Sequence, residues 1–157
     1  MSFKIIIQLG FASVLLLLST GAAWYEGGTI VNEPWEWKHT AIFSQMANGS
    51  VDSINDILPI DHFVYAAKFA PTFPLLMLLS STYLIVLIGF ILLKRNVKIF
   101  SYFLICIGFL FLFLSGFLSD SPTTGLKILF NTCLIIGILS IGIALLRFFN
   151  DTTKEVY

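Results

Sequence analysis

From Ile99 to Leu118 the chain reads IFSYFLICIGFLFLFLSGFL, a run without one charged side chain. A helix of ~20 residues rises about 30 Å, the thickness of the hydrocarbon core of a bilayer. A water-facing helix of that length needs a polar face, which Ser101 and Ser115 cannot supply. The stretch therefore predicts a transmembrane helix, ended by the turn signal Ser119-Asp120-Ser121-Pro122.

Three further runs flank it. Ile5 to Trp24 is interrupted only by Gln8, Ser13, Ser19 and Thr20; Phe73 to Leu93 is stopped by Lys94 and Arg95; Leu126 to Leu146 is stopped by Arg147. The last three runs are joined by hairpin-length connections, which make consecutive helices antiparallel neighbours. The expected fold is an all-α membrane protein, a single integral domain over residues 1–157 with four transmembrane helices in an up-down bundle. Composition agrees: 57% of the 157 residues are apolar and 11% charged. A soluble domain carries roughly 25% charged residues. Nine basic residues balance nine acidic ones, so no net charge draws the chain to nucleic acid.

Basic residues near helix ends resist translocation, and their distribution sets orientation. With the amino terminus inside, Lys4, Lys94, Arg95, Lys98, Arg147 and Lys154 are cytoplasmic, against Lys38, Lys68 and Lys127 outside. Asp151 and Glu155 fall inside and the other acids outside. The expectation is a multi-pass plasma-membrane protein with both termini cytoplasmic. A competing reading takes Lys4, the apolar run to Leu18 and Ser19-Thr20-Gly21-Ala22-Ala23 as a secretory signal cleaved after Ala23, leaving three helices. Trp24 and Tyr25 suit an interfacial belt instead.

The polar segment 25–72 is the external loop. Asn32 or Glu33 caps a helix beginning at Pro34, with Trp35, Ile42, Phe43 and Met46 at helical spacing and Asn48-Gly49-Ser50 at its end. Val51, Ile54 and Leu58 mark a short amphipathic turn terminated by Pro59, and a third helix spans Asp61 to Ala70. These pieces are too small for a core of their own and are expected to lie on the outer membrane surface.

Small residues collect on single faces, where helix backbones approach one another in lipid. The third helix offers Ser101, Gly108 and Ser115; the fourth offers Cys133, Gly137, Ser140 and Ala144; the first has Gly10, Ser13 and Thr20, and the second Thr82 and Gly89. Packing within the chain is the first reading of these stripes and a homo-oligomer the second. Cys106 and Cys133 read as small buried hydrophobes. No ionisable group sits at mid-membrane, which argues against a proton-coupled transporter.

Chemical potential is confined to the loop, where Glu26, Glu33, Glu36, Lys38 and His39 precede Asp61 and His62. No CxxC, HExxH or other metal spacing accompanies them, so neither catalytic residues nor a cofactor nor a metal is expected. Trp35-Glu36-Trp37-Lys38 is the most distinctive string, and on a helix its two indoles diverge by about 200°. With His39 it forms the candidate contact for a membrane-protein partner, set against plain anchoring in the lipid bilayer.

Trp24-Tyr25-Glu26-Gly27 followed by Asn32-Glu33-Pro34-Trp35-Glu36-Trp37-Lys38 resembles the YjdJ-like family, small uncharacterised membrane proteins of Gram-positive bacteria with a domain of unknown function. The resemblance covers the first helix, the loop and, at its furthest, the second helix; it implies a bacterial plasma membrane and assigns no catalytic residue. The leading functional reading is a non-enzymatic protein whose loop recognises a membrane or envelope component. The alternative is a small transporter or channel subunit, and an enzyme would need His39 and His62 to converge with carboxylates.

Overall fold

The computed structural model describes the backbone of residues 3–155 and the side chains of residues 3–150. The side chains of Asp151, Lys154 and Glu155, assigned above to the cytoplasmic side, lie outside the described residues. Within that range the secondary structure is helical: α1 (Phe3–Gly27), α2 (Pro34–Thr40), α3 (Ile42–Asn48), α4 (Pro59–Phe69), α5 (Thr72–Leu93), α6 (Val97–Leu118) and α7 (Thr124–Glu155). Two 3-10 turns, Gly28–Asn32 and Ile54–Asp56, separate α1 from α2 and α3 from α4. Four helices, α1, α5, α6 and α7, are long and apolar enough to cross a membrane. Several of their hydroxyls turn back onto their own helices, as Ser80 does to the Leu76 carbonyl (2.7 Å) and Ser115 to that of Leu112 (2.7 Å), whereas the buried Ser101 hydroxyl has no partner among the described residues. Such bonds satisfy polar groups within the helix, the condition hydrocarbon imposes.

Most helix ends shift by one to three residues, and three differences from the sequence reading have a physical reason of their own. Helix α7 runs beyond Arg147 to Glu155. Arginine ends an apolar run but is a good helix former, and neither Gly nor Pro follows it to stop the helix. Pro59 opens α4 at its first turn as well as closing the segment before it, because its fixed φ and missing N–H suit that position. The single helix expected from Pro34 to Asn48 is two, broken at Ala41 (φ −80°, ψ 56°).

Two compact units divide the chain. The first comprises residues 1–81 with 123–126. In it α4 packs on the end of α1, burying Ala23, Ile30, Ala41 and Ala66 completely. The short helices thus do share a core, one built against α1 instead of among themselves. Gly27 allows the approach, since a Cβ there would fall on the His62 backbone carbonyl. The buried face of α1 is Ala12, Ser19, Ala23 and Gly27. Gly10, placed on a packing stripe by its spacing, has open space where a Cβ would stand.

The second unit comprises residues 82–122 with 127–157. Phe100, Leu104 and Ala144 form its buried cluster, with Val86, Phe90 and Phe103 against them. Arg147 lies over the rings of Phe100 (5.1 Å) and Phe90 (5.9 Å), a cation–π arrangement at the end of the apolar part of α7. Ser101, Gly108, Ser115, Cys133, Gly137, Ser140 and Ala144 are all buried. A Cβ at Gly108 would stand 2.9 Å from the Gly137 carbonyl oxygen, and one at Gly137 would stand 3.0 Å from that of Gly108. Backbones of α6 and α7 meet there, where any side chain would separate them. Gly89 faces the Phe103 ring in the same unit. Cys133 is buried, whereas Cys106 is exposed, contrary to its reading as an interior residue. A helix surrounded by lipid has no polar side to reserve, so apolar residues occur all around it and apolarity alone does not locate the packed face.

Candidate functional site

The segment between α1 and α5 is ordered by one carboxylate. Breaking the helix at Ala41 frees the first amides of α3, and Asp61 on α4 receives them: Phe43 N–H donates to its Oδ1 (3.0 Å) and Ser44 N–H to its Oδ2 (2.8 Å). The Ser44 hydroxyl also donates to Oδ2 and accepts from the Leu58 amide (2.8 Å). Asp61 and Ser44 are both fully buried. A carboxylate at a helix N-terminus satisfies orphan amides and meets the positive end of the helix dipole. Gly49 ends α3 with φ +78°, a left-handed conformation that glycine adopts without the clash a Cβ brings. Asp61 caps a helix distant in sequence, and spacing alone could not have revealed that.

The Trp35–His39 string sits on α2 with its members divided. Trp37 is tied down: its indole N–H donates to the Ile30 carbonyl (2.8 Å), and its own carbonyl accepts from the Gln45 side-chain Nε2 (2.7 Å). Trp35 is 69% exposed. Glu36 accepts from the Thr40 hydroxyl (3.0 Å), while Lys38 lines a cleft of about 300 Å³ with Pro34, Gln45 and Asp52. The Lys68 ammonium donates to the His39 carbonyl (2.5 Å) and the Thr40 hydroxyl (3.1 Å). Burial pushes the Lys68 pKa down, against the opposing pull of Glu36.

A larger cavity, about 720 Å³, opens where α1 gives way to the 3-10 turn and α4 crosses it. Trp24, Tyr25, Tyr65 and Phe69 supply its aromatic wall. Glu26, Thr29, Asn32 and His62 supply its polar groups. Trp24 and the His62 imidazole stack at 6.1 Å with planes 19° apart. The Tyr65 phenol is pushed above its ordinary pKa of 10.0, first by burial and then by the charges of Glu33 and Glu36. Two buried polar atoms in this wall, Glu26 Oε2 and His62 Nδ1, have no hydrogen-bond partner.

The structure brings His62 and Glu26 to one cavity and leaves His39 outside it, exposed on α2. Among the described residues no group of three or more His, Cys, Asp or Glu side chains converges as a metal site would require. Trp24 and Tyr25, suited by the sequence to an interfacial belt, are exposed and also line this space. The missed signal is the Trp-Tyr-Glu-Gly run itself, whose glycine admits α4 and whose other members line the space beside it.

Comparisons with known proteins concern this same region. Residues 6–93, more than half of the chain and the part holding the cavity and α1 through α5, match a family described as a domain of unknown function (DUF4306). The uncharacterized protein YjdJ of Bacillus subtilis (strain 168) is 35% identical over 96 residues, which are 60% of this chain and 86% of that protein. No solved structure matches. The chain belongs to this YjdJ-like family, whose shared domain is one of unknown function.

Proposed function

We propose that the protein is a non-enzymatic component of a bacterial plasma membrane, crossing it four times in an up-down course with both termini cytoplasmic. In this reading residues 28–71 form a folded extracytoplasmic cap that recognises another membrane or envelope component through α2. Six basic residues against three support the orientation.

The observation that carries recognition is the contrast between the two indoles of α2. Trp37 is hydrogen-bonded into the cap and fixes the helix, while Trp35 is presented outward with Lys38 and His39 exposed beside it. A large aromatic held on a rigid support loses little entropy on binding, which is the character of a hot spot. The buried stripes of α6 and α7 support packing over a transport path on those faces.

The test is a photocrosslinking residue at His39 in the full-length protein, irradiated in native membranes. A discrete adduct is expected, either with a different protein or with a second copy, and Trp35→Ala should reduce it about thirty-fold, the equivalent of ~2 kcal/mol at a hot spot. Adducts that survive both Trp35→Ala and Lys38→Glu would contradict recognition and leave Trp35 as a membrane anchor.

A further inference from the structure

The cavity beside Trp24 has a chemistry of its own, independent of the exposed face of α2. Its volume, about 720 Å³, is that of a small-molecule pocket. Its walls are mostly rings, whose faces carry negative electrostatic potential. One carboxyl group, Glu26, joins them, and no lysine or arginine lines the space. Lys68, the cation of α4, is turned to the His39 carbonyl and the Thr40 hydroxyl. Glu33 and Glu36 extend the negative field as far as the Tyr65 phenol. An unpaired buried polar atom is rare and costly, and here two occur in one wall, Glu26 Oε2 and His62 Nδ1. Neither atom has accessible surface of its own, so an occupant acts on them through its charge, as a cation beside the Glu26 carboxyl would.

Anions are disfavoured by the carboxylates. A bare metal ion would find too few ligands, since no third His, Cys, Asp or Glu converges with these two among the described residues. Aromatic faces combined with a carboxylate select an organic cation, by cation–π attraction and charge pairing together. We propose that the cavity formed by Trp24, Tyr25, Glu26, His62 and Tyr65 binds an ammonium group, primary or quaternary, belonging to a free small amine or to a lipid headgroup. Glu26 supplies the counter-charge and the rings of Trp24 and Tyr65 the faces, while His62, stacked on Trp24, holds that ring in place.

The experiment uses the full-length protein. In maltoside detergent, which has no amine, tetramethylammonium chloride and ethanolamine hydrochloride are titrated against equal concentrations of sodium chloride while the thermal midpoint is followed. In parallel, nanodiscs of phosphatidylglycerol alone are compared with nanodiscs containing phosphatidylethanolamine. A ligand that binds only the folded state raises the midpoint in a saturable way. A rise beyond the sodium control is expected in at least one arm: in detergent for a free amine, only with phosphatidylethanolamine for a headgroup. Glu26→Gln and Trp24→Leu should each weaken it about ten-fold or more, whereas Trp35→Phe, outside the cavity, should leave it unchanged. If Glu26→Gln does not fold, as circular dichroism reports, Trp24→Leu carries the test. Midpoints that follow sodium chloride in both arms, or a rise that both cavity variants retain, overturn the proposal. Loss of crosslinking from α2 would not bear on it, so the two readings fail separately.

Discussion

The α2–α4 segment and the α6–α7 pair hold their helices in place by opposite means. Between α2 and α4 the helices are short and broken, and their ends are closed by side chains from elsewhere, above all the Asp61 carboxylate on the α3 amides. Between α6 and α7 the helices are long, and closeness comes from removing side chains at Gly108 and Gly137. The difference follows from what each region must satisfy. Short helices have a large share of orphan backbone groups, so polar capping decides their arrangement. Long apolar helices in lipid gain nothing from burying more apolar surface, so shape decides theirs.

The largest effect expected from breaking this contrast is at Asp61. Asp61→Ala leaves the buried amide and hydroxyl of Ser44, and the part-buried amide of Phe43, without an acceptor. At about 1–3 kcal/mol for each such group the segment should lose several kcal/mol, with amides 42–48 losing hydrogen-exchange protection first. Asp61→Asn keeps one acceptor oxygen and should cost less. Protection in α6 that falls as far as in α3 would show that one cooperative unit had been broken instead of a cap.

Next comes Gly137→Leu. It drives a side chain into Leu112 and the Gly108 carbonyl, and overpacking of this kind costs about 1–3 kcal/mol. Ile138→Leu, at a position 56% exposed, should be silent. Thermal unfolding of the solubilised protein measures both, and equal losses would mean that the stripe is not the packed face.

Smaller effects distinguish the indoles. Trp37→Phe removes the bond to the Ile30 carbonyl and should cost about 1 kcal/mol, while Trp35→Phe should not change the unfolding midpoint. The smallest effect concerns acid. The Ser53 hydroxyl and amide hold the Asp56 carboxyl below its ordinary pKa of 3.8. A depressed carboxylate contributes stability that is present above the unfolded value and lost as pH falls through the folded one. Asp56→Asn should therefore flatten the stability profile below pH 3.8, because it removes a contribution that is small but present at neutral pH. An unchanged acid limb would remove Asp56 as its source.

What the sequence made legible was what local chemistry determines. Four apolar runs, their approximate ends and the small-residue faces of α6 and α7 can be read from composition and spacing, because length and side-chain volume act where they stand. The break at Ala41 could not be read, since it depends on Asp61 arriving from another helix. The buried face of α1, Ala12, Ser19, Ala23 and Gly27, does recur at steps of seven, four and four, yet Gly10, Ser13 and Thr20 offer a competing set of small residues that spacing alone does not exclude. The cavity was visible only as its parts: Trp24, Tyr25 and Glu26 stand together in the sequence, but His62 and Tyr65 join them through tertiary packing.

Everything said of recognition depends on the α2–α4 segment facing outward, and that can be measured directly. In a variant carrying Cys106→Ser and Cys133→Ala, a cysteine at the exposed Ser50 and, separately, one at the exposed Asn96 are treated in intact cells with a membrane-impermeant maleimide. The account predicts that Ser50→Cys is labelled from outside, and that Asn96→Cys is labelled only after the cells are opened. Labelling of Asn96→Cys in intact cells, with Ser50→Cys protected, would invert the topology and contradict the account.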